Sequence, residues 1–194
     1  QLQDCSSAHE TVERVLAKSK ELEGESWIFG FGWDHNKWSE KEFPAAERLN
    51  SLPISQPVML TRIDGHSCWV NQIAMQLSGL DVSPNSPEGG DIINDCILID
   101  NAMNPVQFVM PKPDESTVEK WINLALKIII PRGITNIHDA WQDPVTVKVL
   151  QQMSANGKLP IRVYGMLGSS YPKLLKQFFK EGFFNSENYT IRSV

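Results

Sequence analysis

The sequence predicts an α/β protein, and three observations carry that expectation. From residue 113 onward single helices alternate with short strands, the rhythm of a parallel sheet with crossover helices. The 194 residues are 41% hydrophobic and 21% charged, enough apolar material for one sizeable core, which excludes a disordered tail and a disulfide-stapled miniprotein. No G-x-G-x-x-G phosphate turn opens a helix, and Gly30-Phe31-Gly32 lacks the third glycine, which favours a slice of a (β/α)8 barrel over an open, doubly wound sheet. Three strand-helix units do not close eight strands, however, and barrels typically take about 250 residues. Either part of a barrel lies outside these residues or the sheet is open.

The first helix is marked by an S-x-x-E capping box at Ser7 and Glu10, by Val12, Val15, Leu16 and Leu22 on one side, and by Gly24 as its stop. Trp27 to Trp33, W-I-F-G-F-G-W, mixes aromatics and glycines without helical spacing and reads as a strand, and Pro44 suits the first turn of a short helix to about Leu52. Val58 to Arg62 is a buried strand. After it, Asp64-Gly65-His66-Ser67 is expected to turn the chain into a helix capped by Ser67, with Val70, Ile73, Ala74 and Leu77 on one side and Gly79 at its end. Residues 81 to 90, with two prolines and two terminal glycines, read as a loop. Ile92-Ile93 and Ile97 to Ile99 flank a tight Asn94-Asp95 turn, a short hairpin.

In the second half, Val118, Ile122, Ala125 and Ile129 mark a helix ending at Gly133, and Ile134 to Asp139 a strand. Asp143-Pro144 opens a helix with Leu150 and Met153 inward and Gly157 beyond it. The unit repeats with a strand at Ile161 to Leu167, a helix from Pro172 carrying Leu174, Leu175, Phe178 and Phe179, and a strand at Tyr189 to Val194.

Eighteen Lys and Arg against 23 Asp and Glu give a net charge of -5 with no basic run, which argues against nucleic acid as a partner. Apolar runs such as Ile128 to Ile130 are far below the roughly 18 to 20 residues a membrane span needs, so no membrane partner is expected. Cys5, Cys68 and Cys96 have neither metal-ligand nor disulfide spacing and fit a reducing, cytoplasmic compartment. G-x-S-x-G, H-E-x-x-H and H-x-H are all absent, so no nucleophile elbow or complete metal cage is written locally.

Functional side chains of a parallel sheet gather beyond the C-terminal ends of its strands, which singles out four places. They are Trp33-Asp34-His35, Asp64-Gly65-His66, His138-Asp139 and Gly168-Ser169-Ser170. Asp64 can orient the His66 ring, and a helix starting at Ser67 would favour an anion nearby; the competing reading is that both side chains cap the helix. Asn71 either joins His66 in a pocket or lies on the exposed side of that helix. His138 and Asp139 face opposite sides of their strand, and alternation does not decide which looks into a barrel mouth, because Ile134 and Ile137 fall on different parities. Asp139 at a strand end can hold a substrate group or cap the next helix. Of six tryptophans, Trp33, between Gly32 and Asp34 at a strand exit, is the one expected to wall an apolar pocket.

Five segments, in order, resemble the YtcJ-like branch of the amidohydrolase superfamily: W-I-F-G-F-G-W-D at 27 to 34, P-V-M-L-T-R-I-D-G-H-S-C-W-V-N at 57 to 71, P-E-G-G-D-I-I at 87 to 93, L-I-D-N-A-M at 98 to 103 and G-I-T-N-I-H-D-A at 133 to 140. The resemblance implies a metal-dependent hydrolase of carbon–nitrogen bonds other than peptides. The implied fold is a (β/α)8 TIM barrel with an inserted α+β segment at 1–112, early β/α units at 113–194, and a terminal β-sandwich lying outside this sequence. It further implies a small-molecule substrate and a divalent metal, zinc, that lowers the pKa of a bound water.

That family's H-x-H pair would precede Gln1, and its lysine, later histidines and final aspartate would follow Val194. The resemblance therefore carries over no catalytic residue and no metal ligand, and it implies a fragment inactive alone. Asp64, His66 and Asn71 match the stretch beside the family's substrate pocket, and Asp139 matches the end of an early barrel strand; with Trp33 these are the expected substrate-binding residues. Between Gly90 and Asp100 the sequence departs from the family, running through Asn94-Asp95-Cys96-Ile97 where a glycine-bearing turn is usual. The alternative expectation is a non-catalytic interaction module derived from a barrel, its strand edges covered by a second copy or by the remainder of the same polypeptide.

Overall fold

The computed structural model describes residues 1–22, 24, 26–82 and 85–194. It holds a mixed α/β chain with two sheets, in two compact units, Gln1–Pro111 and Lys112–Val194.

In the first unit, helix α1 (Ala8–Ser19) begins as the capping box predicts, the Ser7 hydroxyl accepting from the Glu10 N–H at 3.1 Å. Glu10 closes the box one residue early, its carboxylate accepting from the backbone N–H of Ser6 at 2.8 Å. Behind α1 lies a five-stranded sheet of β1 (Ile28–Trp33), β2 (Val58–Arg62), β3 (Ser67–Val70), β4 (Gly90–Ile93) and β5 (Ile97–Asp100), in the order β1-β2-β3-β5-β4. Only β1 and β2 are parallel; the other pairs are antiparallel. Short helices α2 (Glu47–Asn50), α3 (Gln72–Ser78) and α4 (Asn104–Val109) complete the unit.

Several elements differ from expectation. Helix α1 ends at Ser19, capped by Lys20, short of Leu22 and Gly24, and Pro44 precedes the short helix α2 without being in its first turn. Ser67 does not cap a helix; it begins β3, and the turn before it is a hairpin in which Gly65 takes φ +77° and its N–H returns to the Arg62 carbonyl. Burial on both faces decided this, because Ser67, Cys68, Trp69 and Val70 are all buried between β2 and β5. The helix starts one turn later, capped by Asn71, and Leu77 of the supposed apolar side is 54% exposed. The hairpin of β4 and β5 forms as read. Its turn closes without glycine because Asn94 and Asp95 both adopt the left-handed region (φ +52° and +54°), which these two residue types tolerate best. The loop expected at 81–90 falls partly on Ser83 and Pro84, outside the described residues.

In the second unit the order is α5 (Glu115–Ile129), β6 (Asn136–Gln142), α6 (Pro144–Ala155), β7 (Arg162–Leu167), α7 (Pro172–Glu181), β8 (Phe184–Asn185) and β9 (Tyr189–Ser193). The sheet runs β6-β7-β9-β8, its first three strands parallel and β8 an antiparallel edge. Asp114 caps α5 and Asp143 caps α6, with Pro144 at the first helical position as expected. Strand β6 begins two residues later than the sequence suggests, since Gly133 at φ +75° and Ile134 still belong to the exit from α5. Val147, Leu150, Met153, Val163 and Ile191 form the centre of this unit's core. No helix among the described residues is long and apolar enough to cross a membrane.

Candidate functional site

Parallel strands β1 and β2 end side by side, and a charged cluster collects there. Arg62 leaves the end of β2 and lies between two carboxylates, Asp64 at 2.5 Å and Asp34 at 3.5 Å. Asp34 also accepts from the Asn36 N–H and shapes the short 3-10 turn His35–Lys37. His35 stacks against Phe43, with ring centroids 4.3 Å apart. Burial, and then the nearby Arg62 charge, hold its imidazole below the ordinary 6.5.

His66 behaves in the opposite way. It sits exposed on the β2–β3 turn, its backbone N–H held by Asp64 at 3.1 Å and its Nδ1 2.8 Å from Asp100 at the end of β5. The hydrogen bond to Asp100, and then that carboxylate's charge, raise the imidazole above its ordinary value. The result is an oriented surface imidazole with Nε2 facing outward, able to exchange a proton near neutral pH or hydrogen-bond a polar ligand.

Trp33 and Asn71 are placed differently from the pocket positions the sequence suggested. Trp33 is fully buried in the core of the first unit and its indole N–H donates to the Leu60 carbonyl at 2.7 Å. Asn71, 2% exposed, accepts from the N–H groups of Val58 and Ala74 and donates to the Gln56 carbonyl. Its polar atoms are spent on joining β2, the preceding loop and α3. Trp33 pairs with Arg62 at the end of β1, while Asn71 secures the opposite end of the sheet, at the start of β2.

In the second unit Ile134 lies outside β6, and Ile137 and Asp139 share the side of the strand that packs on helices α5 and α6. Together they line a cavity of about 330 Å³ walled by Val118 and Ile122 of α5, Leu150 of α6 and Val163 of β7. One Asp139 oxygen accepts from the Gln142 side-chain amide at 2.7 Å, and the Tyr189 hydroxyl donates to the Gln142 carbonyl oxygen at 2.5 Å. Asp143, also at the cavity, is occupied in capping α6 through the N–H groups of Val145 and Thr146. His138 faces the other side of the sheet, beside Tyr164 at a centroid separation of 5.2 Å, with Asn136, Arg162, Thr190 and Arg192. Sequence reading raised His138 without choosing it, and it missed Arg62 and Asp100, whose roles depend on strand pairings that bring together residues 28 and 34 positions apart in the chain. The signal for His138 was present in the one-residue offset from Asp139.

Neither site suits a metal ion or a cysteine nucleophile. Among the described residues no three His, Cys, Asp or Glu side chains gather to hold a cation. At the β1–β2 end the guanidinium of Arg62 already pairs with both Asp34 and Asp64, so a cation there would have to displace it or sit beside like charge. His138 and Asp139 point apart. The three thiols are buried; burial pushes Cys68 and Cys96 up to about 12 and raises Cys5 as well, so none is a ready thiolate.

Comparison with known proteins supplies the wider frame. The sequence profile of the amidohydrolase family matches residues 1–194. The "Putative amidohydrolase YtcJ" of Bacillus subtilis (strain 168) is 28% identical over 179 residues, covering 84% of this chain and 34% of its own length. "Protein LONG AFTER FAR-RED 3" of Arabidopsis thaliana is 32% identical over 123 residues, 59% of this chain and 20% of its own. Among solved structures, an uncharacterized metal-dependent hydrolase from Pyrococcus horikoshii OT3 superposes with a TM-score of 0.68 at 21% identity, over 99% of this chain and 37% of that one. Another from Pyrococcus furiosus gives 0.65 at 23%, over 100% and 38%. The chain thus spans about a third or less of the length of the curated relatives it matches.

Proposed function

Because the chain belongs to the amidohydrolase family, we propose that it is part of a metal-dependent hydrolase acting on carbon–nitrogen bonds other than peptide bonds of a small molecule, with zinc as the metal. The observation that supports this most is the family match over the whole of residues 1–194, reinforced by polar side chains at the C-terminal ends of two sets of parallel strands. In this reading the second unit contributes early β/α units of a TIM barrel and the first is an α+β insertion. Residues 1–194 supply walls and polar contacts: His66, steadied by Asp64 and Asp100, meets the polar end of the substrate, and Asp139 lies at the mouth of β6. Trp33 anchors the end of β1 beside Arg62, and Asn71 ties the far end of the same sheet to α3. In this reading the metal ligands lie on polypeptide outside residues 1–194.

One other reading is a non-catalytic module that binds without turnover, in which the exposed, oriented His66 would serve as a binding contact. A panel of N-acyl amines, ureas and lactams, assayed with and without added zinc, separates the two. Metal-dependent amine release is expected from the polypeptide encoded by the whole gene and none from residues 1–194 alone. Silence from the whole polypeptide would overturn the hydrolase, and turnover by residues 1–194 alone would overturn the placement of the ligands.

A further inference from the structure

Strand β6 ends in a bulge with an unusual occupant. Asp139 pairs with Gly165 and Gln142 with Leu167, so three steps on β6 meet two on β7. The extra residue is accommodated at Trp141, whose φ is +65°. A bulky side chain at positive φ is a real outlier, kept only where its surroundings over-determine it, and such strain gathers at ligand sites.

Here the surroundings are visible. Gln142, 2% exposed, is pinned by Asp139 and by the Tyr189 hydroxyl, and its backbone carbonyl accepts from the Gly168 N–H at 3.0 Å. Glycine at 165 leaves the room this clamp needs, since a Cβ there would sit 2.2 Å from the Gln142 side-chain oxygen. The clamp buries Gln142 and thereby turns its neighbour outward: Trp141 is 62% exposed.

A second aromatic ring and the indole border the same glycine, Gly168. A Cβ on Gly168 would lie 2.9 Å from the Tyr171 ring and 3.3 Å from Cδ1 of Trp141, so the two rings straddle a residue that has no side chain. They stand at the C-terminal ends of β6 and β7, the edge where parallel sheets present ligands.

We propose that Trp141 and Tyr171, on either side of Gly168, form an aromatic subsite that takes a flat apolar group carried by the substrate and so sets preference for aryl over small alkyl substituents. This deepens the hydrolase reading and rests on it, yet its test is a binding measurement that needs no turnover. Acetanilide and acetamide share an amide and differ in a ring. Titrated into the polypeptide encoded by the whole gene, acetanilide is expected to bind about tenfold more tightly, the upper end of what one stacking contact supplies.

Trp141→Gly is expected to reduce that preference to about threefold or less while leaving the melting temperature unchanged or higher, because glycine adopts φ +65° without strain. Trp141→Phe is expected to keep most of the preference. Equal binding of the two probes by the unmodified protein would overturn the subsite, as would full preference retained in Trp141→Gly. A fall of several degrees in melting temperature on Trp141→Gly would overturn it too, by showing that the indole is structural. Ring preference without any hydrolysis would leave the subsite standing and remove the hydrolase; hydrolysis without ring preference would do the reverse.

Discussion

The two units spend their polar side chains differently. In the first, Trp33 and Asn71 stand at strand ends, yet their polar atoms are consumed by backbone: one bond for the indole, three for the amide. In the second, the buried amide of Gln142 joins two side chains, Asp139 and Tyr189, and its clamp leaves Trp141 facing solvent. Both sheets need a cap where a helix starts directly after a strand, Asn71 after β3 and Asp143 after β6. The difference is that Asn71 also binds the backbone of two further segments, while beside Asp143 it is Gln142 that links the neighbouring side chains. Position at a strand end makes a residue a candidate; what decides is whether its polar atoms are already committed.

The comparison breaks most readily at Asn71. Asn71→Ala removes the α3 cap and strands the Val58 N–H and Gln56 carbonyl in the core, an expected loss of about 2 to 4 kcal/mol in urea denaturation. A loss under about 0.5 kcal/mol, the range of ordinary surface substitutions, would show that the amide is not committed as described. A smaller effect is expected at the clamp in the second unit. Gly165→Ala forces a methyl group against Gln142, and overpacking of this kind costs about 1 to 3 kcal/mol; unchanged stability would mean the clamp yields freely and does not hold the bulge.

The smallest effect is electrostatic. His66 is raised by Asp100, so the pair contributes to stability below the ordinary imidazole value and loses that contribution as pH rises through the raised one. An NMR titration of the His66 ring is expected to show its midpoint above 6.5, and Asp100→Asn is expected to bring it back toward 6.5. His35, lowered by burial and Arg62, provides the internal contrast, with a midpoint below 6.5. A His66 midpoint unmoved by Asp100→Asn would remove the orienting role given to that carboxylate.

Much of the fold was legible because it is written locally. The Ser7 box, the Asp143-Pro144 start and the glycines at 79, 133 and 157 act within a few residues and are found where the sequence places them, whereas α1 ends at Ser19, short of Gly24. The error at Ser67 arose where local signals agreed on the wrong answer: Val70, Ile73, Ala74 and Leu77 have helical spacing, but Val70 is held in the sheet by Met59 opposite it. Burial between two neighbouring strands is not a property of a short window, and it outweighed the spacing. The site was less legible for the same reason. Asp64, His66 and Asp139 could be named from position and family resemblance, while the Asp100 carboxylate that orients His66 comes from 34 residues away. The bulge at Trp141 left no trace, since a tryptophan at positive φ is what a sequence reader expects least.

The account stands or falls on where the metal is held. Residues 1–194, purified and dialysed after exposure to excess zinc, are expected to retain no stoichiometric zinc by elemental analysis, because Arg62 already occupies the place of a cation among Asp34 and Asp64, and His138 faces away from Asp139. Zinc retained in stoichiometric amount, and lost on replacing His66 or His138, would contradict the central claim that this chain furnishes the walls of a hydrolase pocket and not its metal centre.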